Sequence, residues 1–185
     1  DAVGEQLVRL AESNYPALKM HLGVYVEGAT ASCVDSVNTT GIANLIRLAN
    51  QYSNVVAVSV GNETSFAANL PVQCLASYIQ TVRSQVAQPV TADDDYSFYA
   101  GLTASGEKPD TIIPLLDFVS IHIYAFTESA NWDWQQTGIA TLYPDRASAM
   151  MNAAMTYTRS KYDLVANRSY TTAAGATTTI GASLP

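Results

Sequence analysis

A carboxylate and an amide stand side by side at Asn62-Glu63, directly after Gly61 and the uncharged, β-branched run Asn54-Val55-Val56-Ala57-Val58-Ser59-Val60. A carboxyl group at the end of a buried strand can act as a general acid once its pKa is raised. The neighbouring amide can hydrogen-bond a sugar hydroxyl. Three further segments end in comparable residues: Tyr25 and Glu27; Asp93, Asp94, Asp95 and Tyr96; and His122, Tyr124 and Phe126. Trp132 and Trp134 alternate in the loop that follows. Aromatic rings cover the apolar faces of sugars, carboxylates do acid–base work, and amides bind hydroxyls. Converging on one face, these groups make a carbohydrate site.

Each residue also has a plainer reading. Asp93-Asp94-Asp95 can be a solvated turn with a helix cap, and Asn62-Glu63 can simply turn the chain. His122 can be a hydrogen-bonded core histidine, and Glu27 and Glu128 can be solvated loop acids. The acidic residues lack the ligand spacing of a calcium loop, so no metal is expected. No cofactor is expected either. Cys33 and Cys74 have no CxxC spacing. They can form one disulfide in an oxidising compartment, which leaves their pairing open.

The elements that must position these groups alternate regularly. Residues 2–13 suggest a helix with Val3, Leu7, Leu10 and Ala11 on one face. Residues 20–26 suggest a strand. Residues 40–52 suggest a helix with Ile42, Leu45, Ile46 and Ala49 at helical spacing. Strands follow at 55–61, 89–92 and 117–124. Between them lie a helix opened by Pro71 and one or two helical turns at 111–116. A loop spans 125–143, a long helix begins at Pro144, and 169–185 reads as loop. Such alternation implies parallel βα units, with four strands adjacent in sequence order and helices outside. The fold class is therefore α/β, in one domain over 1–185. A closed (β/α)8 barrel needs eight strands, so the expectation is a partial barrel. An open flavodoxin-like sheet is the alternative.

Composition narrows the partners. Hydrophobic residues make up 48% and charged residues 14% of the chain, as in a globular domain. The formal charge of -7 argues against nucleic acid and anionic membranes. No run of apolar residues reaches the length of a membrane helix, and no signal peptide is visible.

Four segments, in order, resemble glycoside hydrolase family 17, the β-1,3-glucanases and related glucan transferases. Val58-Ser59-Val60-Gly61-Asn62-Glu63 resembles the family's strand-four motif V-G-N-E. Leu22-Gly23-Val24-Tyr25-Val26 resembles its strand three, and Pro89-Val90-Thr91-Ala92-Asp93 its strand five. Residues 117–126 resemble its strand six, with Ala125 where the family often has proline. The resemblance implies a (β/α)8 barrel, here about strands three to six, and retaining double displacement on β-glucan. It makes Glu63 the acid/base and Asn62 a substrate-positioning residue. It places Tyr124 in the cleft, to which the strand-end reading adds Tyr25, Asp93, Tyr96, His122, Phe126 and Trp132. The bacterial branch, with periplasmic or membrane-attached enzymes, is the nearer one, and an extracellular or periplasmic location follows.

One departure matters. The family's nucleophile lies in an I-G-E-T-G-W segment on strand seven. Here Ile180-Gly181 is followed by Ala182, or else Ala182–Pro185 leads into a strand that is cut off. The nucleophile, the first two strands and the last two strands are thus expected to be missing. The separate chain is expected to be loosely packed, with unpaired strand edges that invite aggregation, and inactive on its own. A noncatalytic carbohydrate-binding relic and an α/β interaction domain are the alternatives.

Overall fold

The computed structural model describes residues 2–28, 33–67, 70–103, 106–124, 143–161, 168–171 and 177–180. Helix α1 (Ala2–Asn14) leads into strand β1 (Met20–Val24), followed by α2 (Ser36–Gln51), β2 (Val55–Asn62), α3 (Val72–Arg83) and β3 (Val90–Asp95). A single turn, α4 (Tyr96–Tyr99), and two short 3-10 turns precede β4 (Ser120–His122). Helix α5 (Tyr143–Lys161) and strands β5 (Arg168–Thr171) and β6 (Thr177–Ile180) complete the described elements. Strands β1 to β4 form one sheet in sequence order, and every neighbouring pair is parallel. The fold is α/β, a four-stranded parallel sheet flanked by helices, as the alternation of patterns requires.

The two faces of the sheet differ. Leu22, Val24, Val58, Val60, Val90, Ala92 and Ile121 lie against Ile42, Leu45 and Ala49 of α2 and Leu75, Ile79 and Val82 of α3, in one apolar cluster. The register puts Gly23 beside Ser59, Ser59 beside Thr91, Asp93 beside Ser120 and Asp95 beside His122. The second face is therefore small or polar along its length, whereas the first supplies the hydrophobic core. An ion pair fastens the end of the sheet remote from Glu63. Arg83 lies 2.6 Å from the Asp117 carboxylate, whose other oxygen accepts the Val90 N–H at 2.9 Å.

Four local expectations change. Helix α2 starts a turn early because Asp35 caps it, accepting the Val37 and Asn38 N–H groups. Helix α1 docks through Val8 and Ala11, leaving Val3, Leu7 and Leu10 exposed. Its orientation follows contacts on the docked flank, where Glu5 pairs with Arg47 and Glu12 accepts from Ser53. The three aspartates belong to β3 and do not form a turn. Residues 168–171 and 177–180 pair as an antiparallel ladder and are not loop. The β-branched run Thr177-Thr178-Thr179-Ile180 favours that extended pairing. No helix among the described residues is long and apolar enough to cross a membrane.

Candidate functional site

The end of β2 is bent towards the site. Between Ser59 and Asn62 the register with β3 slips by one residue, a bulge that re-aims the following side chains. Gly61 makes the bulge possible. Its φ is +88°, and a Cβ there would meet Thr64 Oγ1 at 2.8 Å and Leu75 Cδ1 at 3.2 Å. Glu63 then adopts a left-handed conformation, φ 50°, which is costly for a residue with a side chain. Hydrogen bonds on both sides hold it there. The Glu63 N–H donates to the Asp93 carbonyl, and the Ala67 N–H donates to the Glu63 carbonyl, each at 2.9 Å.

The three aspartates of β3 divide the remaining work. The Asp93 carboxylate accepts the Ser59 hydroxyl at 2.6 Å on the polar face. Gly23 leaves room for this bond, since a Cβ there would lie 2.8 Å from Ser59 Oγ. Asp94 points the other way and accepts the N–H groups of Ser65 at 2.9 Å and Phe66 at 3.1 Å, which fixes the turn after Glu63. Burial pushes the Asp94 carboxyl up to about 6, against the pull of those donors. Asp95 caps α4, accepting from the Ser97 N–H at 2.8 Å and from its hydroxyl. Burial also raises the Asp95 pKa, opposed by Ser97 and reinforced by the charge of Glu63.

Glu63 Oε1 lies 2.8 Å from His122 Nδ1. Both side chains are about one quarter exposed, so the pair is desolvated but open to a ligand. Tyr124 continues this patch, edge-on to His122 with ring centroids 6.0 Å apart, and remains half exposed. Tyr25 is also half exposed, and the Asn62 side chain faces solvent beside Glu63. The structure thus brings Glu63, His122, Tyr124, Asn62, Asp93 and Tyr25 to the ends of neighbouring parallel strands. Tyr96 does not join them. As the first residue of α4 it is fully buried among the core side chains, beyond the reach of a ligand. Phe126, Trp132 and Ala182 lie outside the described residues. Among the described residues, no group of three or more His, Cys, Asp or Glu side chains could hold a metal ion.

The segment after β1 is tethered from two directions. Asn38, buried on α2, exchanges hydrogen bonds with both backbone groups of Glu27, at 2.7 and 3.2 Å. Cys33 is disulfide-bonded to Cys74 in the first turn of α3, with Cα atoms 4.9 Å apart. The Tyr78 hydroxyl donates to the Cys33 carbonyl at 2.8 Å.

Ser59 and Thr64 lie outside the strand-end residues that the sequence singles out. Of the three acids directly after Val90-Thr91-Ala92, all singled out by the sequence, period-two alternation sends Asp94 to the face opposite Asp93 and Asp95. Ser59 and Thr64 carry no such signal, because single hydroxyls in a strand and a turn are common. Comparison with family models, with curated proteins and with solved structures finds no match to this chain.

Proposed function

We propose that this chain forms part of a (β/α)8 barrel acting on β-1,3-linked glucan, with Glu63 as the acid/base of a retaining double displacement. The observation that carries this reading is the constraint on Glu63. A costly left-handed backbone is held by Asp93 and Asp94 so that one accessible carboxyl meets His122 at the carboxyl ends of parallel strands. In the tautomer with Nδ1 protonated, His122 donates to Oε1. Oε2 is then the oxygen that carries a proton to the glycosidic oxygen and later takes one from the acceptor. Water as acceptor gives hydrolysis and a sugar hydroxyl gives transfer. Tyr25 and Tyr124 offer apolar faces for the flanking sugar rings, and Asn62 a hydroxyl-binding amide. By the family resemblance, the nucleophile comes from the strand-seven motif, which residues 1–185 do not contain. The Cys33–Cys74 disulfide fits an extracellular or periplasmic protein.

A second reading, a sugar-binding surface without chemistry, has one observation in its favour. Asp93 and Asp95 are tied to Ser59 and Ser97, so Glu63 is the accessible carboxyl among the described residues at the ends of β2, β3 and β4. Titration of the protein that carries the complete barrel with laminari-oligosaccharides, followed by NMR and by reducing-sugar release, separates the readings. Shifts at Asn62, Glu63 and Tyr124 with bond cleavage support the enzyme, and shifts without cleavage support the binding surface. An equal response to cello-oligosaccharides refutes the β-1,3 specificity, and no response to any glucan refutes both readings.

A further inference from the structure

We propose that Asp95 is a positioning residue for the Glu63–His122 pair, a buried carboxylate whose charge keeps a proton in that pair. The inference rests on Glu63 being the acid of the proposed function and names the group that sets its charge. Asp95 and His122 are direct register partners on adjacent parallel strands, so their side chains project from the same face of the sheet. His122 in turn contacts Glu63 at 2.8 Å. Asp95 is 1% exposed, and its two oxygens differ. Oδ1 is occupied by Ser97. Oδ2 is buried and meets no hydrogen-bond partner among the described residues. A helix cap needs only the first oxygen. The second places charge inside the sheet end, where the opposing group is the His122 ring and the repelling group is Glu63.

The consequence is electrostatic. Two carboxylates and one imidazole share a poorly hydrated space, where a state with both acids ionised and the ring neutral is disfavoured. A negative Asp95 therefore favours the protonated forms of its neighbours. The described titratable groups around it are Glu63 after β2, His122 on β4, Asp93 and Asp94 on its own strand, and Tyr96 and Tyr99 on α4. Asp94 lies on the opposite face, clamped by Ser65 and Phe66. Asp93 is bonded to Ser59, and the Tyr99 hydroxyl donates to the Ala92 carbonyl at 2.6 Å. Removing one unit charge at sheet-neighbour distance shifts a titration by about one pH unit, taking an effective dielectric above that of the dry interior.

The chain has two histidines, His21 and His122, so the ring signals of His122 are assigned by His21→Gln and followed by NMR against pH. In Asp95→Asn, which keeps a capping oxygen, the midpoint of the His122 ring is expected about one pH unit lower. Asp95→Ser, also a capping residue without charge, should give the same shift if the asparagine variant folds poorly. Ser97→Ala retains the charge and should not lower the midpoint. In a glucanase assay of the protein that carries the complete barrel, the alkaline limb of kcat should move down with the ring in both neutral variants. A purely structural role would lower stability or kcat at every pH and leave the midpoint in place. An unchanged His122 midpoint in folded Asp95→Asn and Asp95→Ser overturns the inference. A shifted midpoint in a chain that neither binds nor cleaves glucan supports the charge coupling while refuting the glucanase reading.

Discussion

Asp94 is the residue on which the geometry of Glu63 most depends, and its removal has a calculable cost. Its carboxylate is 1% exposed and accepts the N–H groups of Ser65 and Phe66, neither of which has another acceptor in the turn's own hydrogen bonds. Hydrogen bonds to a charged group contribute about 1.5–3 kcal/mol each, and a buried donor left unpaired costs about 1–3 kcal/mol. Asp94→Ala is therefore expected to destabilise the fold by about 3 kcal/mol. The pH dependence is the sharper test. Burial raises this carboxyl from 3.8 to about 6, which corresponds to roughly 3 kcal/mol. Because the folded value lies above the unfolded one, the native state binds the proton more tightly. The group's contribution to stability is full below about pH 4, falls as pH rises towards 6, and is constant above that. Asp94→Asn cannot titrate and retains one acceptor oxygen. Relative to the wild type it should gain about 3 kcal/mol between pH 4 and pH 7. Urea denaturation followed by circular dichroism at half-unit pH intervals measures both quantities. A wild-type-to-Asn difference that is flat across that window refutes the raised carboxyl, and an Asp94→Ala cost under about 0.5 kcal/mol refutes the clamp.

Two further predictions concern the same end of the sheet. Breaking the Cys33–Cys74 bridge, which spans a sequence separation of 41, should cost up to about 4 kcal/mol by loop-closure entropy. Thermal melts of Cys33→Ser/Cys74→Ser and of the reduced wild type should both show the loss, and unchanged melting points would contradict it. Gly61→Ala faces both a positive φ and close contacts with Thr64 and Leu75. It should destabilise by about 1–3 kcal/mol and weaken laminari-oligosaccharide binding, whereas wild-type affinity would show that the bulge does not position the site.

Much of the scaffold was legible, for identifiable reasons. Val55–Val60 is a β-branched run without charge, closed by Gly61, so its strand and the exit to Asn62-Glu63 could be read directly. The parallel order followed from the helices between strands. Features that depend on tertiary contact could not be read in this way. Apolar residues occur on two sides of α1, and periodicity selects Val3, Leu7, Leu10 and Ala11, of which Ala11 docks, together with Val8. Three consecutive aspartates resemble a turn because acids are costly in a buried strand. They are tolerated in β3 because Ser59, the Ser65–Phe66 turn and Ser97 each supply donors. Tyr96 follows those acids in sequence, yet the start of α4 turns it into the core. The cysteine pairing needed the fold itself, since nothing local relates a segment after β1 to the first turn of α3.

The most direct test of Glu63 as the acid compares two substrates of the full-length protein. Laminarin has a poor leaving group and needs protonation, whereas an aryl β-laminaribioside with an activated phenol needs little. General acid catalysis contributes about 10²–10⁴-fold. Glu63→Gln is therefore expected to lower kcat on laminarin by a factor in that range, while the first step on the aryl glycoside, read as the phenol burst, falls far less. Equal losses on both substrates, or full laminarin activity in Glu63→Gln, would contradict the assignment of Glu63 as the proton donor.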